Sequence, residues 1–423
     1  MNRRQFILAS VAVGVASAFA IKPNDNGEAY NSYFSMMNEN LKVNGSFVPS
    51  MIVDLDLLDK NIIALKQTLN PSVEYRIVAK SLPSPDLLGY IMEKSKTNKL
   101  MVFHQPFLTT LANDYPKSDI LMGKPMPVKA AESFYQQLPN ESLFNPSTQL
   151  QWLIDSKERL IQYLTLARHQ NILLQINIEI DVGLHRGGLQ QAEELDELLK
   201  IIENNLQYLR FSGFMGYDPQ IVKIPSIVKS PEQAFIESQA IYQAFIDRLY
   251  QQDPKYKNQS LCFNGAGSPS LPLHKNKTVA NELSAGSCLV KPVDFDLPLL
   301  SQFTPAAFIA TPILKKMKGT QLPAIEFAKN ILPLWDENMQ QTFFIYGGKW
   351  LAQFESPKGL QGNNLFGTST NQAIVNGSNN VNIDVDDHVF LRPTQSEFVF
   401  LQFGKILTLR NNSFAQTWSI LTG

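Results

Sequence analysis

The chain has 423 residues, of which 44% are hydrophobic and 18% charged, and its net charge is −1. This is ordinary material for a globular protein with a full core, and too long for one small domain. No basic stripe stands out, so no electrostatic footprint for nucleic acid is expected.

Arg3 and Arg4 precede an apolar run over residues 6–21 that ends near Ala18-Phe19-Ala20. The run falls short of the ~20 residues a spanning helix needs and has the layout of an export signal. Asn2-Arg3-Arg4-Gln5-Phe6-Ile7 resembles a twin-arginine signal; a Sec signal or an uncleaved anchor is the alternative. Residues 1–20 are therefore expected to direct the chain to the periplasm or outside, and residues 21–46, polar and Asn-rich, to form a linker. Cys262 and Cys288 are the two cysteines; they are expected to be free thiols, with a single bridge as the alternative.

From residue 47 strands and helices alternate. A strand over 51–55 leads into a helix with Leu58, Ile62 and Leu65 on one face. Strands are expected over 73–79, 99–103, 120–122, 147–155, 172–180, 211–217 and 260–264. Helices are expected from Pro83 through Ile91 and over 106–113, 157–169, 192–204 and 232–251. About eight such units before residue 300 predict a (β/α)8 TIM-type barrel over 47–304, with a doubly wound open sheet as the alternative. After residue 305 the helical rhythm stops. Strands over 342–345, 351–354, 389–392 and 398–402, with Gly/Asn/Asp-rich turns, predict a C-terminal mainly-β domain over 305–423. The strand at 51–55 could lie in either part.

In a parallel barrel the chemistry sits at the C-terminal strand ends. Glu74-Tyr75-Arg76-Ile77-Val78-Ala79-Lys80 ends a strand in a lysine. Desolvation there would favour the neutral amine, which can form a Schiff base with an aldehyde; a solvated strand-end lysine is the plain alternative. Asp181-Val182-Gly183-Leu184-His185-Arg186-Gly187-Gly188 offers a tight turn with Arg186 aimed at an oxyanion, or else a polar loop. Tyr217 ends a strand and could lie against a flat ring or simply pack in the core. Gly265, Gly267 and Ser268 form a glycine-rich turn, and Gly286 and Ser287 a second one a strand later. Together they suggest a phosphate cradle near the last barrel strands.

These residues resemble the D-threonine aldolase/D-serine dehydratase branch of the alanine racemase-like, fold-type III pyridoxal-phosphate (PLP) enzymes. The resemblance spans residues 47 to about 410. The family's R-P-H-x-K strand matches Arg76 and Lys80, with Val78 in the histidine's place. Its D-x-G-x-x-R-x-G loop matches Asp181, Gly183, Arg186 and Gly188. Its G-x-x-x-Y strand matches Tyr217, and its phosphate turn matches Gly265, Gly267 and Ser268. Its T-E-L-x-x-G-S-Y element matches Glu282, Gly286 and Ser287, with Cys288 for the tyrosine. The resemblance implies that Lys80 holds pyridoxal 5'-phosphate, that Arg186 lies by the cofactor's phenolic oxygen, and that Tyr217 packs near its ring. Members that use a divalent metal carry P-x-H-x-C or P-x-H-x-D; here the stretch is Pro393-Thr394-Gln395-Ser396-Glu397. Glu397 could still offer an oxygen to Mn²⁺ or Mg²⁺.

The implied activity is that of a lyase on a D-amino acid, D-threonine aldolase-like. A racemase, a D-serine dehydratase-like enzyme or a PLP-binding protein without turnover are the alternatives. The family also implies a homodimer.

Overall fold

The computed structural model describes residues 22–45, 47–320, 328–363 and 366–422. The expected export signal lies outside them. The chain divides into two compact units. One comprises Leu55–Ala306, Gln395–Ile406 and the residues from Thr417 onward; the other comprises the residues up to Asp54, Ala307–Thr394 and Leu407–Gln416.

The first unit is a closed parallel barrel. A strand preceding it, β1 (Ser50–Asp54), belongs to the other unit. The barrel strands are β2 (Glu74–Val78), β3 (Lys99–Val102), β4 (Asp119–Met122), β5 (Leu150–Ile154), β6 (Leu174–Glu179), β7 (Leu209–Gly216), β8 (Cys262–Gly265) and β9 (Glu282–Ala285), each paired with the next. β2 pairs with β9, Tyr75 opposite Leu283 and Arg76 opposite Ser284, and so closes the ring. Helices return the chain between strands. Pro85–Ser95 begins at Ser84, whose hydroxyl accepts from the Leu87 N–H, and buries Leu87, Leu88 and Ile91. Pro231–Gln252 begins with a capping box between Ser230 and Gln233. The barrel expectation holds and the open-sheet alternative falls. A helix over Val128–Gln137 was not anticipated.

Inside the barrel lies a buried ion network. Arg76 is fully buried and all five of its N–H donors are used: Nε to Glu282 Oε1 (2.5 Å), Nη2 to Glu282 Oε2 (2.9 Å) and Asp119 Oδ1 (2.9 Å), and Nη1 to the carbonyls of Leu100 and Asp119. Lys99 Nζ adds contacts to Glu282 (3.0 Å) and Asp119 (3.3 Å). Burial acts to raise the Glu282 pKa, but the Arg76 charge and its hydrogen bonds prevail and hold it at about 2.

The second unit is built on a nine-stranded sheet. It contains β1, β10 (Ala307–Lys318), β11 (Gln341–Tyr346), β12 (Ala352–Ser356), β13 (Gln361–Gly362), β14 (Gln372–Gly377), β15 (His388–Pro393), β16 (Lys405–Arg410) and β17 (Ser413–Ser419). The order is β13-β14-β11-β10-β1-β16-β17, with β15 beside β10 and β12.

Three expectations are corrected. The linker at 21–46 contains the helix Ser32–Asn44, started by the Asn31 side chain, with Phe34, Met37, Asn38 and Leu41 buried on one face. Phe34 meets Phe308 and Phe390 edge-on and tilted, so aromatic packing fixes a helix whose Asn-rich composition suggests none. The strand β1 is not part of the barrel. It pairs antiparallel with β10, Ser50 opposite Ala310 and Val53 opposite Ala307, and all five of its residues are buried, so no alternation marks its partner. Residues 398–402 are not a strand. Glu397–Phe400 forms a helical turn with the neighbours Val399 and Phe400 both buried, and residues 395–406 group with the barrel. A short apolar run reads the same for a strand and a buried turn.

The ion network yields a pH prediction. A carboxyl whose folded pKa lies below its unfolded value contributes stability above the unfolded value, and loses it as pH falls towards the folded one. Glu282 should therefore contribute stability that fades between about pH 4.5 and 2. Urea midpoints of the natural chain and Glu282→Gln should converge across that window. Arg76→Met, which removes the bidentate partner of Glu282 and leaves it Lys99 and Asn264, should cost about 3 kcal/mol at neutral pH.

Candidate active site

The cleft lies at the C-terminal mouth of the barrel, and its lining among the described residues belongs to the barrel unit. β2 ends at Val78, and a 3-10 turn, Ala79–Ser81, carries Lys80 into it. The Lys80 Nζ lies 2.9 Å from Glu397 Oε1 and 4.8 Å from the centroid of the Phe103 ring. Its side chain is 39% exposed. The expectation of a fully desolvated lysine is corrected on this point: the ammonium keeps water on one side and a carboxylate on the other.

Beside Lys80 the buried Ser81 Oγ accepts from the Ser287 hydroxyl at 3.0 Å. Ser287 opens the turn after β9, and closure of β9 on β2 is what makes the two serines neighbours. Gly286 is needed there, because a Cβ would stand 2.7 Å from the Val78 carbonyl oxygen. The turn after β8 closes the same end. A Cβ on Gly267 would stand 2.6 Å from the Tyr217 ring. Ala266 holds a left-handed φ of 65°, rare for a residue with a side chain and typical of functional turns.

The turns expected to form a cradle are largely bonded to one another. The Gly267 N–H is not open to a ligand; it donates to Ser270 Oγ at 3.2 Å. The Ser268 hydroxyl is a brace and accepts from the N–H groups of Gly286 (3.2 Å) and Cys288 (3.1 Å). Among the described residues, the N–H groups of Ser268 and Ser287 have no protein acceptor. These two amides and the hydroxyl of Ser81 are the donors left at this end. Gly265 ends β8 and abuts Ala280 and His274, behind the cleft wall.

On the opposite side, the loop after β6 carries Arg186. Asp181 shapes it: one carboxylate oxygen accepts from the N–H groups of Gly183 and His185, and the other faces His185 Nδ1, each at 2.9 Å. Gly188 has a φ of 90° and backs onto the Glu179 carbonyl, so it must lack a side chain. The Arg186 guanidinium lies 4.9 Å over the Tyr217 ring and 3.9 Å from Glu179. Burial pushes the Glu179 carboxyl above its ordinary value, against the pull of Arg186. Burial also raises the Tyr217 phenol, so it stays protonated at neutral pH.

Behind the β8 turn lies a buried relay that sequence reading missed. Asp218 accepts from the Ser270 hydroxyl at 2.5 Å, and its other oxygen faces His274 Nε2 at 2.9 Å; His274 Nδ1 faces Thr278. Its signals were adjacency alone, Asp218 beside Tyr217 and Ser270 beside the phosphate turn. Phe103, Phe295 and Ser81 also line the cleft without having been singled out.

The metal expectation is not supported by the donor set. Glu397 engages Lys80, the Gln395 amide donates to Asp294, and among the described residues no group of three His, Cys, Asp or Glu side chains could hold a metal ion. A hard dication takes several oxygen ligands, and a single carboxylate lines the cleft. Cys262 and Cys288 are unbridged, and burial pushes the Cys288 thiol up to about 12, so it is inert.

Residues 53–292 match the family model for the alanine racemase N-terminal domain. The chain belongs to this family. Pyridoxal phosphate is the cofactor expected of the family, and membership supports an enzyme. Solved structures share the fold at low identity. D-threonine aldolase from Filomicrobium marinum is 14% identical, with 88% of this chain and 96% of that one covered and a TM-score of 0.66. Alanine racemase from Clostridium difficile is 16% identical, covered at 89% and 100%, with a TM-score of 0.66. D-threo-3-hydroxyaspartate dehydratase from Delftia is 16% identical, covered at 89% and 97%, with a TM-score of 0.62. No curated protein sequence matches the chain significantly.

Ser270→Ala should strip the Gly267 N–H and one Asp218 oxygen of their partners. The expected cost is about 1–3 kcal/mol, read as a lower urea midpoint, and Ser270→Thr should recover part of it.

Proposed function

We propose that this chain is a PLP-dependent lyase that cleaves a β-hydroxy-D-amino acid, in the manner of a D-threonine aldolase. The observation that carries the reading is one cleft holding a lysine amine beside a set of unfilled hydroxyl and amide donors. These residues fit the cofactor. Lys80 is placed to hold its aldehyde carbon, the amides of Ser268 and Ser287 with the Ser81 hydroxyl suit a phosphate, and Tyr217 and Arg186 flank the space between. Gly267 and Gly286 let these turns pack closely against the Tyr217 ring and the end of β2. When bound, the cofactor supplies an electron sink for a bond broken at Cα.

The chain's own groups then do three things. The cradle anchors one end of the site. Tyr217, kept neutral by burial, and Arg186 hold the plane. Lys80 Nζ and Glu397 Oε1 are the acid–base pair at the reacting end. They lie 2.9 Å apart, on one side of the cleft. Racemisation needs bases on opposed sides, so this geometry favours the lyase.

Protein mixed with pyridoxal phosphate should develop a visible absorbance band that borohydride bleaches, and Lys80→Ala should lack it. A panel of D-amino acids should release glycine and an aldehyde from D-threonine, with little change on adding Mn²⁺. Keto acid or the opposite enantiomer as the main product would replace the lyase with a dehydratase or a racemase. A colourless natural chain would overturn the reading.

A further inference from the structure

Glu397 is the carboxylate of the cleft wall, and its partner is the amine that handles the substrate. The cleft's charges are three: Lys80 and Arg186 positive, Glu397 negative. Glu397 has a side chain that is 37% exposed, and among the described residues its ion pair is with Lys80. Met101, Phe103, Met215 and Phe295 give the wall around Lys80 an apolar side, and Ser81 and Ser287 give it a hydroxyl-bearing one.

An amino acid that uses this site must bring its nitrogen to the place Lys80 Nζ occupies. Glu397 Oε1, 2.9 Å from that place, then lies within reach of whatever stands on Cβ. A hydroxyl there could donate to it, a charge-assisted hydrogen bond. A carboxylate there would face the like charge of Glu397. Arg186 cannot relieve both negative groups, since Glu179 already lies 3.9 Å from it.

We propose that Glu397 sets the substrate class: it accepts a hydrogen bond from a donor on Cβ of an uncharged amino acid and turns away acidic amino acids. This rests on the cofactor-bound lyase proposed above. It deepens that reading, because the shared fold carries both a threonine aldolase and a hydroxyaspartate dehydratase.

The test is a binding titration that needs no turnover. Cofactor-loaded protein is titrated with D-threonine, D-serine, D-alanine and D-aspartate, and the change in its visible spectrum gives each dissociation constant. D-threonine and D-serine should bind about tenfold tighter than D-alanine, and D-aspartate weakest of the four. Glu397→Gln, which keeps an acceptor but loses the charge, should tighten D-aspartate about tenfold and keep a preference for the hydroxyl. Glu397→Ala should lose that preference. Should D-aspartate bind the natural chain as well as D-threonine, or should Glu397→Gln leave their ratio unchanged, the assignment is overturned while the lyase stands. No spectral change with any amino acid would overturn both.

Discussion

The Arg76–Glu282 ion pair is the constraint on which the rest of the barrel's chemistry hangs. It joins the first barrel strand to the last inside the barrel. Burying either group alone would be costly; Glu282, Asp119 and two carbonyls satisfy every donor of the guanidinium, and Lys99 adds a second cation for the carboxylates. The consequence lies a few residues further along each strand. Lys80 and Ser81 follow β2, Gly286 and Ser287 follow β9, and closing the ring sets the Lys80 turn beside the Ser287 turn.

The site is divided by strand ends. The turns after β2, β8 and β9 brace one another through Ser268, Ser270 and Ser287, and Asp218 anchors the brace from behind. The loop after β6 stands apart, closed on itself by Asp181 and presenting Arg186 across Tyr217. One side is rigid and made of small residues. The other brings a single long cation, half in water. A flat, doubly charged cofactor suits such a pairing of a tight anchor with an adaptable clamp.

The shared fold does not choose the reaction. Racemase, aldolase and dehydratase structures all resemble this chain at 14–16% identity, and function lives in the residues grafted on the barrel. Here the informative residue is Glu397. Its stretch carries Gln395 where the metal-using relatives are expected to carry histidine. The carboxylate faces an amine, so an electrostatic contact takes the place where a metal ligand was expected.

Much of this was written in the linear chain. The alternation of apolar runs and helical faces was enough for a parallel α/β fold, because each element's period is local; closure into a barrel rests on the pairing of β2 with β9, which a local pattern does not record. Lys80, Arg186, Tyr217, Gly267, Ser268, Gly286 and Ser287 were legible because each stands at a strand end beside a glycine or an apolar run, and the structure lines one cleft with all of them. What the chain could not show were pairings between distant segments: β1 with β10, Phe34 with Phe308 and Phe390, Asp218 with Ser270 and His274, and Glu397 with Lys80. Local pattern records which face of an element is apolar. It does not record which far-off side chain answers a given charge or fills a given hollow, because those contacts exist only once the chain has closed on itself.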